Sequence, residues 1–311
     1  MSTIKNKRMK KINSYLLFVI LMIVALNVKS QQDPMFTQYM SNTMSVNPAY
    51  AGSSDMLSIN LISRHQWIGL DGAPQTQTLM AHTPLVSNLG AGISLLRDQV
   101  GPVSNFSGQM AVSYKLKLST KSSLSFGLMA GVNNSSIILT DVPGVNPTDV
   151  TFQQNINSTR PIFGSGLYFL TPKAYLGISV PDLIETIYYG DNVSWKHNRH
   201  YFIIGGGVFN VSKNIVFKPT FLFKYVNNVP FSAEFTSSFI FKNKLWLGAM
   251  YRYNDAVGAI INLQLTEQLR LGYAYDYSVS RLRLYHNGTH EIMLNYDFRY
   301  GKKSYATPRY F

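Results

Sequence analysis

The feature that most constrains the fold is an alternation of apolar and polar residues that recurs over most of the chain. Leu269, Leu271 and Tyr273 fall on one face of an extended segment, and Arg270 and Gly272 fall on the other. This follows because successive side chains of a β-strand point to opposite faces. The same pattern recurs in segments 105–118, 257–266 and 291–299. Each segment therefore predicts a strand with one apolar and one polar face.

The length of these segments favours strands that cross a membrane. Runs of about 9 to 13 residues match a tilted transmembrane strand, whereas the strands of a soluble β-sandwich, the alternative all-β fold, have about five or six residues. In the segments above, charged residues fall on the polar face and tyrosines lie near the ends of the apolar face, as in an aromatic girdle. Only a closed barrel leaves no unpaired backbone in lipid. We therefore predict an all-β, antiparallel transmembrane barrel of the outer membrane, with its apolar face against lipid.

The number of segments predicts the topology. Fourteen strands are expected near residues 56–67, 74–84, 88–99, 103–118, 121–134, 161–171, 172–181, 199–211, 214–226, 229–242, 243–253, 256–266, 268–279 and 288–300. An even number places both termini in the periplasm. The two long connections, 135–160 and 182–198, then follow odd-numbered strands and are expected on the exterior.

The first 30 residues predict a secretory signal peptide. Basic residues precede a short apolar run at 15–26, and the cleavage site is expected before Gln31. An uncleaved anchor helix is the alternative, but a run of about a dozen residues is shorter than the roughly 20 that span a bilayer. Of the 28 basic residues, six lie in residues 1–30, which leaves 22 basic against 15 acidic residues, or +7, after cleavage. These charges are scattered along the chain, so no nucleic-acid partner is predicted.

Residue types that carry chemistry are sparse. The chain has no cysteine, which excludes disulfides, lipoprotein anchoring and thiolate sites. His197 and His200, and likewise His286 and His290, lie in or beside extended segments, where their spacing does not place two imidazoles on one helical face. They are interpreted as loop or girdle residues. No metal site, cofactor or enzymatic activity is predicted.

Short motifs are spread along the chain: residues 31–52 read QQDPMFTQYMSNTMSVNPAYAG, residues 72–76 read GAPQT, and residues 308–311 read PRYF. These motifs resemble those of the PorP/SprF family of the bacterial type IX secretion and gliding apparatus. The family-signature positions of the N-terminal segment are Asp33, Pro34, Phe36, Gln38, Tyr39, Asn47, Pro48, Ala49, Tyr50, Ala51 and Gly52. Those of the barrel are Arg64, Gln66, Trp67, Asp98, Gly101, Tyr275, Asp276, His290 and Glu291. One departure is Thr289, where the family usually has Ser.

The resemblance implies a non-enzymatic adaptor or anchor in the outer membrane. Its implied partners are outer-membrane lipid, the type IX translocon, the periplasmic ring and motor proteins, and secreted cargo with a C-terminal sorting domain. A general porin or solute transporter is the alternative. A porin is expected to have a constriction loop dense in opposed charges, whereas residues 135–160 contain only Asp141, Asp149 and Arg160.

The N-terminal segment predicts a structural element of its own. We divide the chain into a signal peptide (1–30), the family-signature segment (31–55), the barrel (56–300) and a C-terminal tail (301–311). Pro34 and Pro48 make the second part unsuitable as a membrane strand, while Phe36, Tyr39 and Tyr50 need a surface to pack on. We expect it to plug the barrel lumen or to lie against the periplasmic rim; a disordered lead-in is the alternative.

Overall fold

The chain folds into a closed antiparallel β-barrel of fourteen strands. The computed structural model describes residues 34–54, 56–138, 156–189 and 194–298. The predicted signal peptide, Asp33 and the C-terminal tail lie outside these residues. Within the described ranges, no helix has the length and apolar character needed to cross a bilayer.

The strands follow the chain order. They are β1 (Leu57–His65), β2 (Gln75–Val86), β3 (Leu89–Val100), β4 (Val103–Lys117), β5 (Ser123–Ile137), β6 (Ile156–Leu170), β7 (Ala174–Val180), β8 (Thr186–Tyr189), β9 (Ser194–His197), β10 (His200–Gly207), β11 (Phe209–Ser212), β12 (Ile215–Val226), β13 (Ser232–Phe241), β14 (Leu245–Arg252), β15 (Ala256–Gln264), β16 (Leu269–Ser278) and β17 (Thr289–Phe298).

Pairing of the first strand with the last closes the barrel. β1 and β17 pair antiparallel from Leu57 opposite Phe298 to His65 opposite His290. β10 and β11 both pair with β12, so they count as one barrel strand that is interrupted at Val208. β8 and β9 form a separate hairpin within the connection after β7. The predicted count of fourteen barrel strands is therefore confirmed.

The two faces of the wall differ as the alternation predicts. Outward side chains such as Met110 and Leu128 are 71% and 66% exposed, whereas the inward Met80 and Met293 are buried. In β16, Ala274 and Asp276 are buried inside the barrel, and the alternate positions face outward. An apolar wall around a polar interior is the arrangement that lipid on the outside requires.

Two predicted boundaries need correction. β5 continues to Ile137 and β6 begins at Ile156, so the connection predicted as 135–160 spans only 138–155. The two strands extend beyond the predicted bounds because their polar side chains pair across the sheet: the Asn134 side chain donates to Asn157 Oδ1 at 2.7 Å. The connection predicted as 182–198 contains the β8–β9 hairpin.

The connections at the two ends of the barrel differ in length. The longest ones, 66–74, 138–155, 181–199 and 279–288, all lie at the end where β1 finishes, while the opposite end has short turns such as 87–88 and 213–214. In outer-membrane barrels the long connections face the exterior. We therefore refer to the exterior end and the periplasmic end of the lumen below.

Candidate functional site in the barrel lumen

Residues 34–54 lie inside the barrel. They form three short 3-10 turns, Tyr39–Ser41, Thr43–Ser45 and Pro48–Tyr50. The last turn begins where the Asn47 side chain accepts a hydrogen bond from Ala49 N at 3.0 Å, and Pro48 occupies the first turn position, where no N–H is needed. The buried apolar residues of this segment and of the inner wall form one cluster: Phe36, Tyr39, Met44, Ala49, Tyr50, Ala51, Ile62, Met80, Ala111, Met129, Tyr168, Tyr175, Phe202, Ile204, Leu222 and Met293.

The segment extends along the lumen from one end towards the other. Met35 Sδ lies 3.8 Å from Ser232 Oγ, at the exterior end of β13. Gly52 packs against Gly90 near the periplasmic end of β3, and a Cβ on either glycine would clash with the backbone opposite it. The described part of the segment therefore occupies the bore and is not displayed at the periplasmic rim. Its first residues lie towards the exterior end, so the prediction that the N-terminus lies in the periplasm is wrong for the described residues. An even strand count fixes only the end at which β1 begins, and residues 34–54 traverse the lumen before that strand.

A buried charged cluster binds the start of the segment. Glu291 accepts hydrogen bonds from Thr37 N at 2.9 Å and from Gln38 N at 2.8 Å. Arg64 donates to Glu291 at 3.0 Å and to Asp276 at 2.9 Å, and the Thr37 hydroxyl lies between Arg64 and Asp276, at 2.8 Å and 2.6 Å. Because the segment supplies N–H and O–H groups to buried carboxylates, its position and the ionic cluster stabilise each other.

A second ion pair extends this cluster along the inner wall. Arg252 lies 2.6 Å from Glu234, its cross-strand partner, and 3.8 Å from Asp276. Asp255, at 3.2 Å from Arg252, is the half-exposed end of the network. Buried charges cost free energy unless they are paired and hydrogen-bonded, so removing one of these groups should destabilise the barrel by leaving its partner unpaired.

Hydrogen bonds from side chains to backbone oxygens hold the rest of the segment against the wall. Asn47 Nδ2 donates to Leu167 O at 2.9 Å, Ser179 Oγ donates to Val46 O at 2.6 Å, and Ser113 Oγ donates to Ala51 O at 2.5 Å. Gly127 leaves the space that Ala49 occupies, since a Cβ at Gly127 would clash with the Ala49 backbone. Glycine inside a strand here permits close approach of a second backbone.

Burial changes the acidity of the phenols in the segment. Loss of solvation raises the pKa of Tyr39 well above its usual 10.0 and also raises the pKa of Tyr50. The ring of Tyr50 packs edge-on against Tyr168 and His82, with centroids 5.5 Å and 5.1 Å away. Both phenols therefore remain neutral packing groups at neutral pH.

The structure brings together part of the predicted signature. The lumen contains Pro34, Phe36, Gln38, Tyr39, Asn47, Pro48, Ala49, Tyr50, Ala51 and Gly52, together with the wall residues Arg64, Asp276 and Glu291. Asp98 also faces inward but accepts from the Thr76 hydroxyl at 2.7 Å.

The other barrel signature residues lie apart from the lumen. Gln66, Trp67 and Gly101 are in exterior connections. His290 and Tyr275 face outward and pack edge-on at 5.1 Å, as expected of girdle residues. The interpretation of His200 as a loop or girdle residue is wrong, because this side chain is buried inside the barrel at the first residue of β10.

Two members of the charged cluster were not singled out from the sequence. Glu234 and Arg252 fall on the polar faces of neighbouring predicted strands, and a hairpin register would have placed them opposite each other. That register depends on the bounds of the 242–244 turn, which the alternation alone does not define. In the part of the chain that the structure describes, no three His, Asp or Glu side chains come together as a metal site would require.

A closed barrel with an apolar outer wall and a filled, charged lumen defines an outer-membrane β-barrel protein. The model of the family described as type IX secretion system membrane protein PorP/SprF matches residues 28–296. The chain belongs to this family, and it is a membrane protein of the type IX secretion system located in the outer membrane.

Solved structures are similar to this chain at low sequence identity. The CymD monoaromatic hydrocarbon channel aligns with a TM-score of 0.50 and 11% identity, over 84% of this chain and 93% of that one. A Pseudomonas aeruginosa FadL homologue has a TM-score of 0.47 and 12% identity, over 81% and 93%. The translocator domain of the autotransporter NalP from Neisseria meningitidis has a TM-score of 0.42 and 10% identity, over 93% of this chain and 98% of that one. At 11% identity the likeness to CymD concerns the fold alone. Among curated proteins no match was found.

Proposed function

We propose that this protein is a non-enzymatic adaptor of the type IX machinery, which anchors secreted cargo bearing a C-terminal sorting domain at the outer membrane. Membership of the PorP/SprF family identifies the secretion system as type IX. The observation that supports the proposal is the occupied lumen: residues 34–54 pack inside the barrel against its inner wall, along the path that a solute would take. A barrel filled by its own chain contributes binding surfaces at its ends, which favours the adaptor over the porin alternative.

The two ends of the barrel then have separate roles. Exterior connections, including 66–74 and 279–288, are available to cargo on the cell surface. Short turns at the opposite end face the periplasmic ring and motor proteins. Because residues 34–54 are buried in the lumen, their role in this proposal is to close the barrel and to stabilise its wall.

Planar-bilayer conductance tests the closed lumen. We expect the wild-type protein to show no stable channel, and a variant lacking residues 34–50 to conduct, because the deletion empties the bore. Deleting residues 281–284, an exposed turn in the exterior connection, is the matched control and should leave the barrel closed. Stable porin-like conductance of the wild type would overturn closure.

Surface display of cargo tests the adaptor role independently. Deleting the gene should release a sorting-domain protein into the medium or block its display, and the wild-type gene should restore it. Co-purification of that cargo or of machinery subunits with the tagged protein should accompany the effect. If every type IX cargo is still displayed on the surface of the deletion strain, the adaptor proposal is wrong, whatever the conductance shows.

A further inference from the structure

The outer wall has a groove of about 370 Å³ between β17 and β4, towards the exterior end. Its apolar lining consists of Leu61, Leu79, Leu95, Phe106, Ile292 and Leu294. The groove forms because the outward residue in its middle is small: Ser63 lies between Ile292 and Gln77 in the strand register. Larger residues on both sides then form its walls.

Outward side chains change in character from row to row along β1, β2 and β3. The lower row is Leu61, Leu79 and Leu95, the middle row is Ser63, Gln77 and Arg97, and the upper row is His65, Gln75 and Gln99. Charged side chains are costly in hydrocarbon and are accommodated at its boundary. The middle row therefore lies where the hydrocarbon ends and the headgroups of the outer leaflet begin.

Arg97 is placed at the headgroup end of this groove. It faces outward and is exposed, and it lies beside Phe106 on β4 and Gln77 on β2. A planar guanidinium presents several donors in a geometry that matches phosphate oxygens, and the neighbouring amide can add a further donor. The apolar lining below Arg97 faces the hydrocarbon side of this boundary.

We propose that this groove binds an anionic lipid of the outer leaflet, with an acyl chain against Leu61, Leu79 and Leu95 and its phosphate on Arg97 and Gln77. A lipid is the occupant that location and charge favour, because the outer wall faces lipid and Arg97, the cation in the lining of the groove, lies at headgroup level. A neighbouring barrel would be expected to cover a broad face of the wall rather than one narrow groove.

Native mass spectrometry of the full-length protein in detergent tests the proposal. The probes are phosphatidylglycerol and phosphatidylcholine with identical acyl chains, which differ in net headgroup charge. We expect the wild type to retain phosphatidylglycerol about tenfold more strongly, as one charge-assisted contact allows. Arg97→Gln should bring the ratio close to one, and Ser63→Leu, which fills the groove, should lower retention of both lipids.

Controls separate loss of the site from loss of the fold. Lys213→Ala removes one exposed positive charge from the periplasmic turn at 213–214, and it should keep the wild-type preference. All variants should show the heat-dependent gel mobility of a folded barrel. Equal retention of the two lipids by the wild type, or an unchanged preference in Arg97→Gln, would overturn the site. Capture of a protein rather than lipid by a photo-cross-linker at position 77 in cells would also overturn it.

Discussion

Replacing Glu291 by Gln tests whether the charged cluster holds the N-terminal segment in the lumen. Both carboxylate oxygens of Glu291 accept a backbone N–H of the segment, and one of them also pairs with Arg64. A glutamine has one oxygen and one NH₂ group. In either orientation its NH₂ group faces a donor, either Gln38 N–H or the pair of Thr37 N–H and Arg64, so at least one buried donor loses its acceptor.

The expected cost follows from these contacts. Hydrogen bonds to a charged group contribute about 1.5–3 kcal/mol each, and removing one partner of a buried ion pair costs about 3–5 kcal/mol. The contacts share one carboxylate and are not additive, while Asp276 still pairs with Arg64 at 2.9 Å. We therefore expect a total of about 3–5 kcal/mol, which shifts the docking equilibrium of the segment more than about a hundredfold.

Two measurements read out this shift. In Glu291→Gln the denaturant midpoint of the barrel should fall, and chymotrypsin should cleave after Phe36 and Tyr39, which are buried in the wild type. Glu267→Gln makes the same chemical change in an exposed turn and should change stability by less than about 0.5 kcal/mol. If Glu291→Gln keeps the wild-type midpoint and protease protection, the cluster does not hold the segment and our reasoning is refuted.

Three further predictions concern the same site. Gly127→Leu should lower the denaturant midpoint and expose the segment to chymotrypsin, since its side chain would occupy the space of the Ala49 backbone; wild-type protection would contradict this close approach. Arg252→Leu should cost about 3–5 kcal/mol, and the double variant with Glu234→Leu should cost less, because no buried charge is then left unpaired; additive losses in a double-mutant cycle would contradict the pairing. Burial raises the pKa of Tyr39 above its usual 10.0, so the folded state binds a proton that the unfolded state releases first, and stability should fall as pH rises above about 10. Denaturant midpoints between pH 8 and 11 should show a smaller alkaline loss in Tyr39→Phe than in the wild type, and equal losses would contradict the assignment.

Much of the barrel could be predicted from local pattern. The direction of a side chain in a strand depends only on its place in the alternation, so Ala274 and Asp276 could be placed inside and their neighbours outside before any contact was known. The candidate site was harder to predict from the sequence. Arg64 and Glu291 were noticed as signature residues, but nothing in their local sequence shows that they meet, and Glu234 and Arg252 were not noticed at all.

The sequence by itself determined the strand count, the lipid-facing surface and the polar character of the interior, because these depend on period-two alternation and segment length. Only the tertiary structure decided which inward residues touch. Arg64, Asp276 and Glu291 come from β1, β16 and β17, and they meet because the register of the closing β1–β17 pair sets Arg64 opposite Glu291. The position of residues 34–54 was decided in the same way, since their hydrogen bonds and packing partners are supplied by strands that are distant in the chain.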